Sequence, residues 1–389
     1  MVGTWGRGTL GVLMTGAVLT GVAAAWAGPQ PLGLGRPVPA PSLWHPVAVF
    51  GKDERVALPG DLASLEGRIG ILVDDASRTV CTASCIGPDL ILTAAHCIFH
   101  EGARSAPKLA SFWFSPSGQT ITRLARIKGE SDKLALQNVM AGTTRPRLRP
   151  PIDASSDWAA IRLAAPVCAK GSLAIKPLAM AAIEAAAKDG AILQVAYHKD
   201  FKEWQLALSR NCEIHRRHDG LTPVLIRKEF SDPTQLLLHR CDTGEGSSGS
   251  PLLIVGDNGP EIVGLNVGVY LQSRILVRGG RVEKTFKAKT VANTGVSAEH
   301  LAVLVEAFRT AKPVTAAEDM QRLQERLQAL GFYRGTIDGL LGEKMRAAIK
   351  AYQRSLGEPE TGVPSRDLID RLAGPAPADQ PAAAGTSGG

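Results

Sequence analysis

Aromatic residues make up only 5% of the 389 positions, and no block of like charge occurs along the chain. The excess of 44 Lys+Arg over 37 Asp+Glu, a net +7, is spread out instead. No interleaving of basic and aromatic residues accompanies it, so no nucleic-acid partner is expected. The charge fits anionic partners of any kind, an anionic cell wall included. The glycine-rich stretch Gly244-Glu245-Gly246-Ser247-Ser248-Gly249-Ser250 lacks a Gly-Lys-Ser/Thr ending and is no phosphate loop. His215-Arg216-Arg217-His218 lacks a carboxylate or thiol at metal-ligand spacing and reads as a solvated turn. No metal, no cofactor and no internal repeat is expected. What is present is globular: 44% hydrophobic and 21% charged residues exclude wholesale disorder. The length suggests about two to three units, and 41 Gly with 25 Pro point to loop-rich segments.

The ends of the chain read differently from its middle. Arg7 is the only charged side chain before Arg36, and an apolar run from Leu10 to Ala25 leads to Ala25-Trp26-Ala27, a small-x-small cleavage site. Residues 1–27 therefore read as a secretory signal peptide. An uncleaved membrane anchor competes, because the uncharged stretch reaches about 20 residues. Gly and Thr within the run, and Pro29 and Pro31 just after it, favour the signal and no stable membrane insertion. Export implies an oxidising compartment, where six cysteines form bridges more readily than metal sites. Residues 28–55 read as a linker or propeptide, and 374–389, mostly Pro, Ala and Gly, as a disordered tail.

Between these ends, residues 56–312 carry short β-like runs at Ile69 to Val73, Leu90 to Thr93, Ser111 to Phe114, Trp158 to Leu163, Ala191 to Ala196, Gln235 to Leu238, Pro251 to Ile254 and Ile262 to Val269. Gly, Pro, Asp and Asn turns separate them, which predicts an all-β sandwich or barrel. A helical pattern is expected in this unit only at Ala298 to Arg309. Three constellations carry chemistry. Leu92-Thr93-Ala94-Ala95-His96-Cys97 delivers a histidine at a strand end. Asp157 leads into the alternating run Trp158-Ala159-Ala160-Ile161-Arg162-Leu163. Ser248 sits in the glycine-rich turn. A serine hydroxyl attacks poorly until a base takes its proton, and imidazole has a suitable pKa. A buried carboxylate fixes the imidazole tautomer. Glycines beside the serine let backbone N–H groups face a developing oxyanion.

The Thr-Ala-Ala-His-Cys run, the Gly-Ser-Ser-Gly-Ser-Pro run and the order His, Asp, Ser resemble a secreted bacterial trypsin-like serine endopeptidase of the chymotrypsin fold. The finer likeness is to the glutamyl-endopeptidase branch, through Gly51-Lys52-Asp53-Glu54-Arg55 and the Cys81-Thr82…His96-Cys97 segment. The resemblance implies a double barrel, with His96 as general base, Asp157 as orienting carboxylate and Ser248 as nucleophile. It places the oxyanion hole at the N–H groups of Gly246 and Ser248. It also implies the disulfides Cys81–Cys97 and Cys212–Cys241. Cys85 and Cys168 form either a third bridge or two buried thiols. Asp242 stands where trypsin-type enzymes hold a carboxylate for a basic P1 side chain. Thr243 matches a pocket residue of the glutamyl enzymes, whose pocket histidine is Asn266 here. Basic, acidic and unselective P1 preferences all stay open. The Arg55–Val56 bond lies about where the family's mature chain begins, so a freed amine there could complete the pocket.

Residues 316–373 change to helical periodicity: Met320, Leu323, Leu327 and Leu330, then Ala347, Ile349 and Tyr352, then a third run from Pro364 to Leu372. Leu330-Gly331-Phe332-Tyr333, Gly335, Ile337-Asp338-Gly339, Gly342, Arg346-Ala347-Ala348-Ile349, Tyr352-Gln353 and Thr361-Gly362 resemble a small all-α, three-helix peptidoglycan-binding domain. Met345 departs from the threonine common before the arginine. Tyr333, Arg334 and Arg346 are candidate glycan contacts, and Asp338-Gly339 reads as turn chemistry. The chain is thus expected to be a monomeric serine endopeptidase, secreted or periplasmic, acting on a protein or peptide and tethered to peptidoglycan. The alternative is a wall-binding protein with a non-catalytic, protease-like recognition domain.

Overall fold

The computed structural model describes residues 48–373 except 104–105, 118–124, 130, 203, 211, 215–220, 273–274, 279–280, 286–288 and 315. The expected signal peptide, the tail and the His215–His218 turn lie outside the described residues. Apolar and β-branched residues in short runs build two large, mainly antiparallel sheets, beside a two-stranded hairpin of Ile275–Arg278 and Arg281–Thr285. The first is seven-stranded: Ala125–Arg126, Phe112–Ser115, Ile69–Asp74, Thr79–Gly87, Leu90–Thr93, Ala159–Arg162 and Val139–Ala141, in spatial order. A bridge between Ile127 and Leu163 joins the first strand to the penultimate one, so the sheet closes on itself. The Ile69–Asp74 strand is buried at every position, because both of its faces are covered. Each fully buried aliphatic side chain there contributes roughly 1.5–3 kcal/mol.

The second sheet runs Val56–Ala57, Leu206–Ser209, Ile192–Tyr197, Pro251–Gly256, Gly259–Gln272, Lys289–Ser297 and Leu236–His239, with Ala174–Ile175 added in parallel. One continuous apolar cluster joins the two sheets through residues such as Ile71, Leu92, Val195, Leu265 and Phe308. Three disulfides pin the unit: Cys81–Cys97, Cys85–Cys168 and Cys212–Cys241. The pair left open by the sequence is bonded, and among the described residues no cysteine is free.

Helices differ from expectation. Besides Ala298–Thr310, the larger unit contains Met180–Lys188 and Pro223–Glu229. The first buries only Ile183 and is held by alanine's intrinsic helix preference, which leaves little amphipathic pattern to read. The second starts where the Thr222 side chain accepts the Leu225 N–H, with Pro223 in the first turn. Arg162 reaches from the first sheet to donate to the carbonyls of Phe308, Arg309 and Ala311. It thereby caps the C-terminus of Ala298–Thr310 while lying over the Phe308 ring.

Three further helices, Ala317–Ala329, Glu343–Ser355 and Arg366–Ala373, pack around Met320, Leu323, Leu327, Ile349 and Leu368. The Gln324 amide stitches the turn after the first of them, its oxygen accepting the N–H groups of Asp338 and Gly339. Residues 312 and 313 already belong to this body: Arg366 N–H donates to Lys312 O at 2.9 Å, and Pro313 bridges Ser365. Among the described residues no helix is long and apolar enough to cross a membrane.

Candidate active site

His96 lies on the single turn Ala95–Cys97 that ends the Leu90–Thr93 strand, and the Cys81–Cys97 bridge ties that turn to the neighbouring strand. Asp157 closes the short turn Ala154–Ser156, and its side chain is 3% exposed. Both of its oxygens serve His96. Oδ1 accepts the His96 backbone N–H at 2.8 Å, and Oδ2 accepts Nδ1–H at 2.7 Å. The carboxylate thus fixes both the place of the loop and the tautomer of the ring, leaving Nε2 as the nitrogen able to take a proton. Burial pushes the imidazole pKa down, but the charge and hydrogen bond of Asp157 outweigh it and the net direction is upward.

Ser248 is half-buried in the turn between Leu236–His239 and Pro251–Gly256. Its carbonyl accepts the Thr82 N–H at 2.9 Å, and Thr82 Oγ1 donates to Gly246 O at 2.8 Å. Within the turn, Ser247 N–H donates to Gly244 O and Ser250 N–H to Ser247 O. Among the described residues, no acceptor takes the N–H groups of Gly246 and Ser248, and Ser248 Oγ makes no hydrogen bond. Gly246 has φ +99°, and a Cβ there would lie 2.4 Å from a Trp204 ring carbon. Only glycine fits this bend.

One cleft of about 350 Å³ is lined by His96, Asp157, Gly246 and Ser248 together. The sequence-derived site residues are therefore neighbours in space. Thr243 and Asn266 line the same cleft. Asn266 is oriented by two partners, its Oδ1 accepting from His239 Nε2 and its Nδ2 donating to Ser247 O, both at 3.0 Å. Thr243 Oγ1 donates to Asn293 Oδ1. Asp242 departs from the expectation of a pocket acid. It is 5% exposed, is absent from the cleft lining, and spends both oxygens on the N–H groups of Phe50 and Glu54. A larger cavity of about 880 Å³ adjoins the cleft through His100, Glu101, Pro146 and Arg147 and reaches Glu343 and Arg346 of the helical body. Its Ser77 and His100 are each partnered to Asp74 Oδ2, whereas His96, Asp157 and Ser248 share the smaller cleft, where the chemistry belongs.

Sequence reading missed Thr82, His198, His239 and Asn293, which brace the site from inside. Their contacts to the site join residues 27 to 164 positions apart, a separation that leaves no local signal. The two cysteines and histidine that lie close together, Cys81, His96 and Cys97, offer no metal site, since the two sulfurs are bonded to each other. Of the glycan candidates, Tyr333 is buried, its hydroxyl donating to Thr336 O, and Arg346 donates to Leu136 O. Arg334 is exposed.

Residues 81–265 match the family model "Trypsin-like peptidase domain", and residues 316–372 match "Putative peptidoglycan binding domain". A solved structure, "Structure of Glu endopeptidase in complex with MPD", aligns over 67% of this chain and 98% of that one, at 17% identity and TM-score 0.43. The protein named "Putative OxPP cycle protein OpcA" of Synechocystis sp. is 52% identical over 51 residues, 13% of this chain and 11% of that protein. "Localization factor PodJL" of Caulobacter vibrioides is 36% identical over 70 residues, 18% of this chain and 7% of that protein. The chain thus spans about a tenth or less of the length of these curated relatives. Residues 81–265 of the larger unit are thus similar to trypsin-like peptidase domains, and residues 316–372 to peptidoglycan-binding domains.

Proposed function

We propose that the protein is an exported serine endopeptidase that cleaves peptide bonds through an acyl-enzyme on Ser248 while its C-terminal domain holds it at peptidoglycan. In this reading His96 Nε2 takes the proton of Ser248 Oγ as that oxygen attacks the scissile carbonyl. The N–H groups of Gly246 and Ser248 then donate to the carbonyl oxygen as it becomes an oxyanion. His96 returns the proton to the leaving amine, and water hydrolyses the ester by the same route in reverse. The observation that carries the reading is the two-oxygen grip of Asp157 on His96, a costly burial of charge that a merely structural turn does not need.

The cleft wall formed by Thr243, Asn266 and Thr294 is neutral, and the Asp242 carboxylate is already satisfied. Both features favour uncharged P1 residues over basic ones. Three disulfides and a wall-binding domain fit an extracytoplasmic, wall-associated location.

The deciding experiment is labelling of the folded chain with a fluorophosphonate. Ser248 should be the modified residue, and His96→Ala should suppress the reaction. A folded chain that is never labelled would favour a non-catalytic recognition role. Co-sedimentation with purified sacculi tests the tether, which fails if residues 316–373 can be removed without loss of binding.

A further inference from the structure

We infer that residues 48–55 remain on the working enzyme as a strap holding the wall of the cleft, with Arg55 and Asp242 as the positioning residues through which it acts. The inference rests on Ser248 being the nucleophile. Three attachments carry it. Ala48 pairs with Thr243, each N–H donating to the other's carbonyl at 3.0 Å. Asp242 spans the strap, Oδ1 accepting Phe50 N–H and Oδ2 accepting Glu54 N–H, each at 2.9 Å. Arg55 locks the end. Its guanidinium donates to both oxygens of Asp200, at 3.0 and 2.8 Å, and to both oxygens of Asp53, at 2.9 and 2.7 Å. Forked pairs of this kind combine charge with a fixed geometry that lysine cannot copy.

The ion pair lies directly behind the site. A Cβ on Gly244 would come within 2.1 Å of Asp200 Oδ1 and 2.7 Å of an Arg55 nitrogen. The backbone of the wall therefore rests on the clamp. Gly244 in turn holds Ser247 N–H through its carbonyl, one residue from each proposed oxyanion donor. Thr243, Gly244 and the nucleophile turn are thus held from outside by a segment that the sequence reads as linker or propeptide.

The same contacts oppose cleavage of Arg55–Val56. The Arg55 side chain is 3% exposed, and Val56 and Ala57 are already paired with Leu208 and Ala207. A processing protease would have to extract the arginine from four charge-assisted hydrogen bonds and peel off an edge strand. Cutting here removes the clamp from the wall, so it should inactivate rather than activate.

The test uses the full chain. Trypsin should leave Arg55–Val56 intact in the wild type. Asp242→Asn, which loses one of the two acceptors, should be cut there at least about tenfold faster, since cleavage tracks the opened population. Fluorophosphonate-labelled wild-type molecules should keep an N-terminus ahead of Ala48. Asp242→Asn and Arg55→Lys should lower kcat by about 10- to 100-fold, the effect of misplacing a reacting group by roughly 1 Å. P1 preference across a substrate panel should not change. A fully active enzyme beginning at Val56, or Asp242→Asn with wild-type kcat, would overturn the strap. A selective loss of activity on basic P1 substrates in Asp242→Asn would overturn it too, making Asp242 a specificity residue. An unlabelled wild type whose Arg55 resists trypsin overturns the nucleophile reading instead, because strap attachment is read there without activity.

Discussion

His198 ends the Ile192–Tyr197 strand with 1% of its surface exposed, and its Nδ1 accepts the Gly244 N–H at 3.0 Å. An acceptor in that place must be neutral. Burial first, and the Arg55 guanidinium second, hold its pKa down at about 4, with Asp200, the Gly244 hydrogen bond and Asp53 opposing them. In the unfolded chain the same imidazole titrates near 6.5. Between these two values the unfolded state binds a proton that the folded state refuses. Stability therefore falls as pH drops from about 6.5 to about 4, and levels off below, where both states are protonated. The full gap corresponds to about 3 kcal/mol, at about 1.4 kcal/mol per pH unit. His198→Asn keeps an oxygen acceptor near Nδ1 but cannot titrate. Urea unfolding should be followed by tryptophan fluorescence, because no tryptophan lies beyond Trp204 and the helical domain contributes no signal. Between pH 6.5 and 4.5 the wild type should lose about 2–3 kcal/mol more than the variant. Parallel curves over that range would refute the argument, as would a steeper fall in the variant.

Further outcomes follow from the same contacts. Asp157→Asn, which frees the His96 ring to take the wrong tautomer, should lower kcat by about 10⁴-fold in peptide hydrolysis with little change in folding. The upward direction of the His96 pKa puts the acid limb of kcat/KM above pH 6.5, activity being lost as pH falls through it; a pH–rate profile with that limb below 6.5 would contradict it. Gly246→Ala drives a methyl into Trp204 and should cost about 10²- to 10³-fold in kcat, the value of one oxyanion donor. Replacing Cys81 and Cys97 together by alanine opens a bridge spanning sixteen residues. It should lower stability by about 3 kcal/mol, measured by urea unfolding.

How far the sequence could be read depends on whether a feature is local. Leu90–Thr93 has the same bounds in the structure as in the sequence reading, because an apolar run ends abruptly at a small-residue turn. Ala298–Thr310 is legible from a face that is buried in full, whereas in Glu343–Ser355 the helix is legible but of Ala347, Ile349 and Tyr352 only Ile349 is buried, Met345 and Ala348 taking the inner face. Met180–Lys188 was not, since alanines give propensity without a stripe. Thr79–Gly87 leaves little trace either: its mixture of Thr, Ser and Cys is polar by composition yet buried along most of its length. The site divides in the same way. His96, Asp157 and Ser248 stand in short motifs, whereas the partners that orient them are set by folding. Asp242 shows the limit clearly, as its position suggested a pocket acid while its carboxylate serves backbone N–H groups nearly two hundred residues away.

The junction between the two domains sets how far the catalyst can wander. Arg162 holds the carbonyl of Ala311 at 3.0 Å, and Lys312 and Pro313 are already bonded to the helical body. Almost no free chain is left, and even a fully extended residue adds only about 3.5 Å. A protease on a long flexible leash searches a volume set by the leash. Under the proposed tethering, this short junction would confine the cleft to about a single domain's width of the wall polymer.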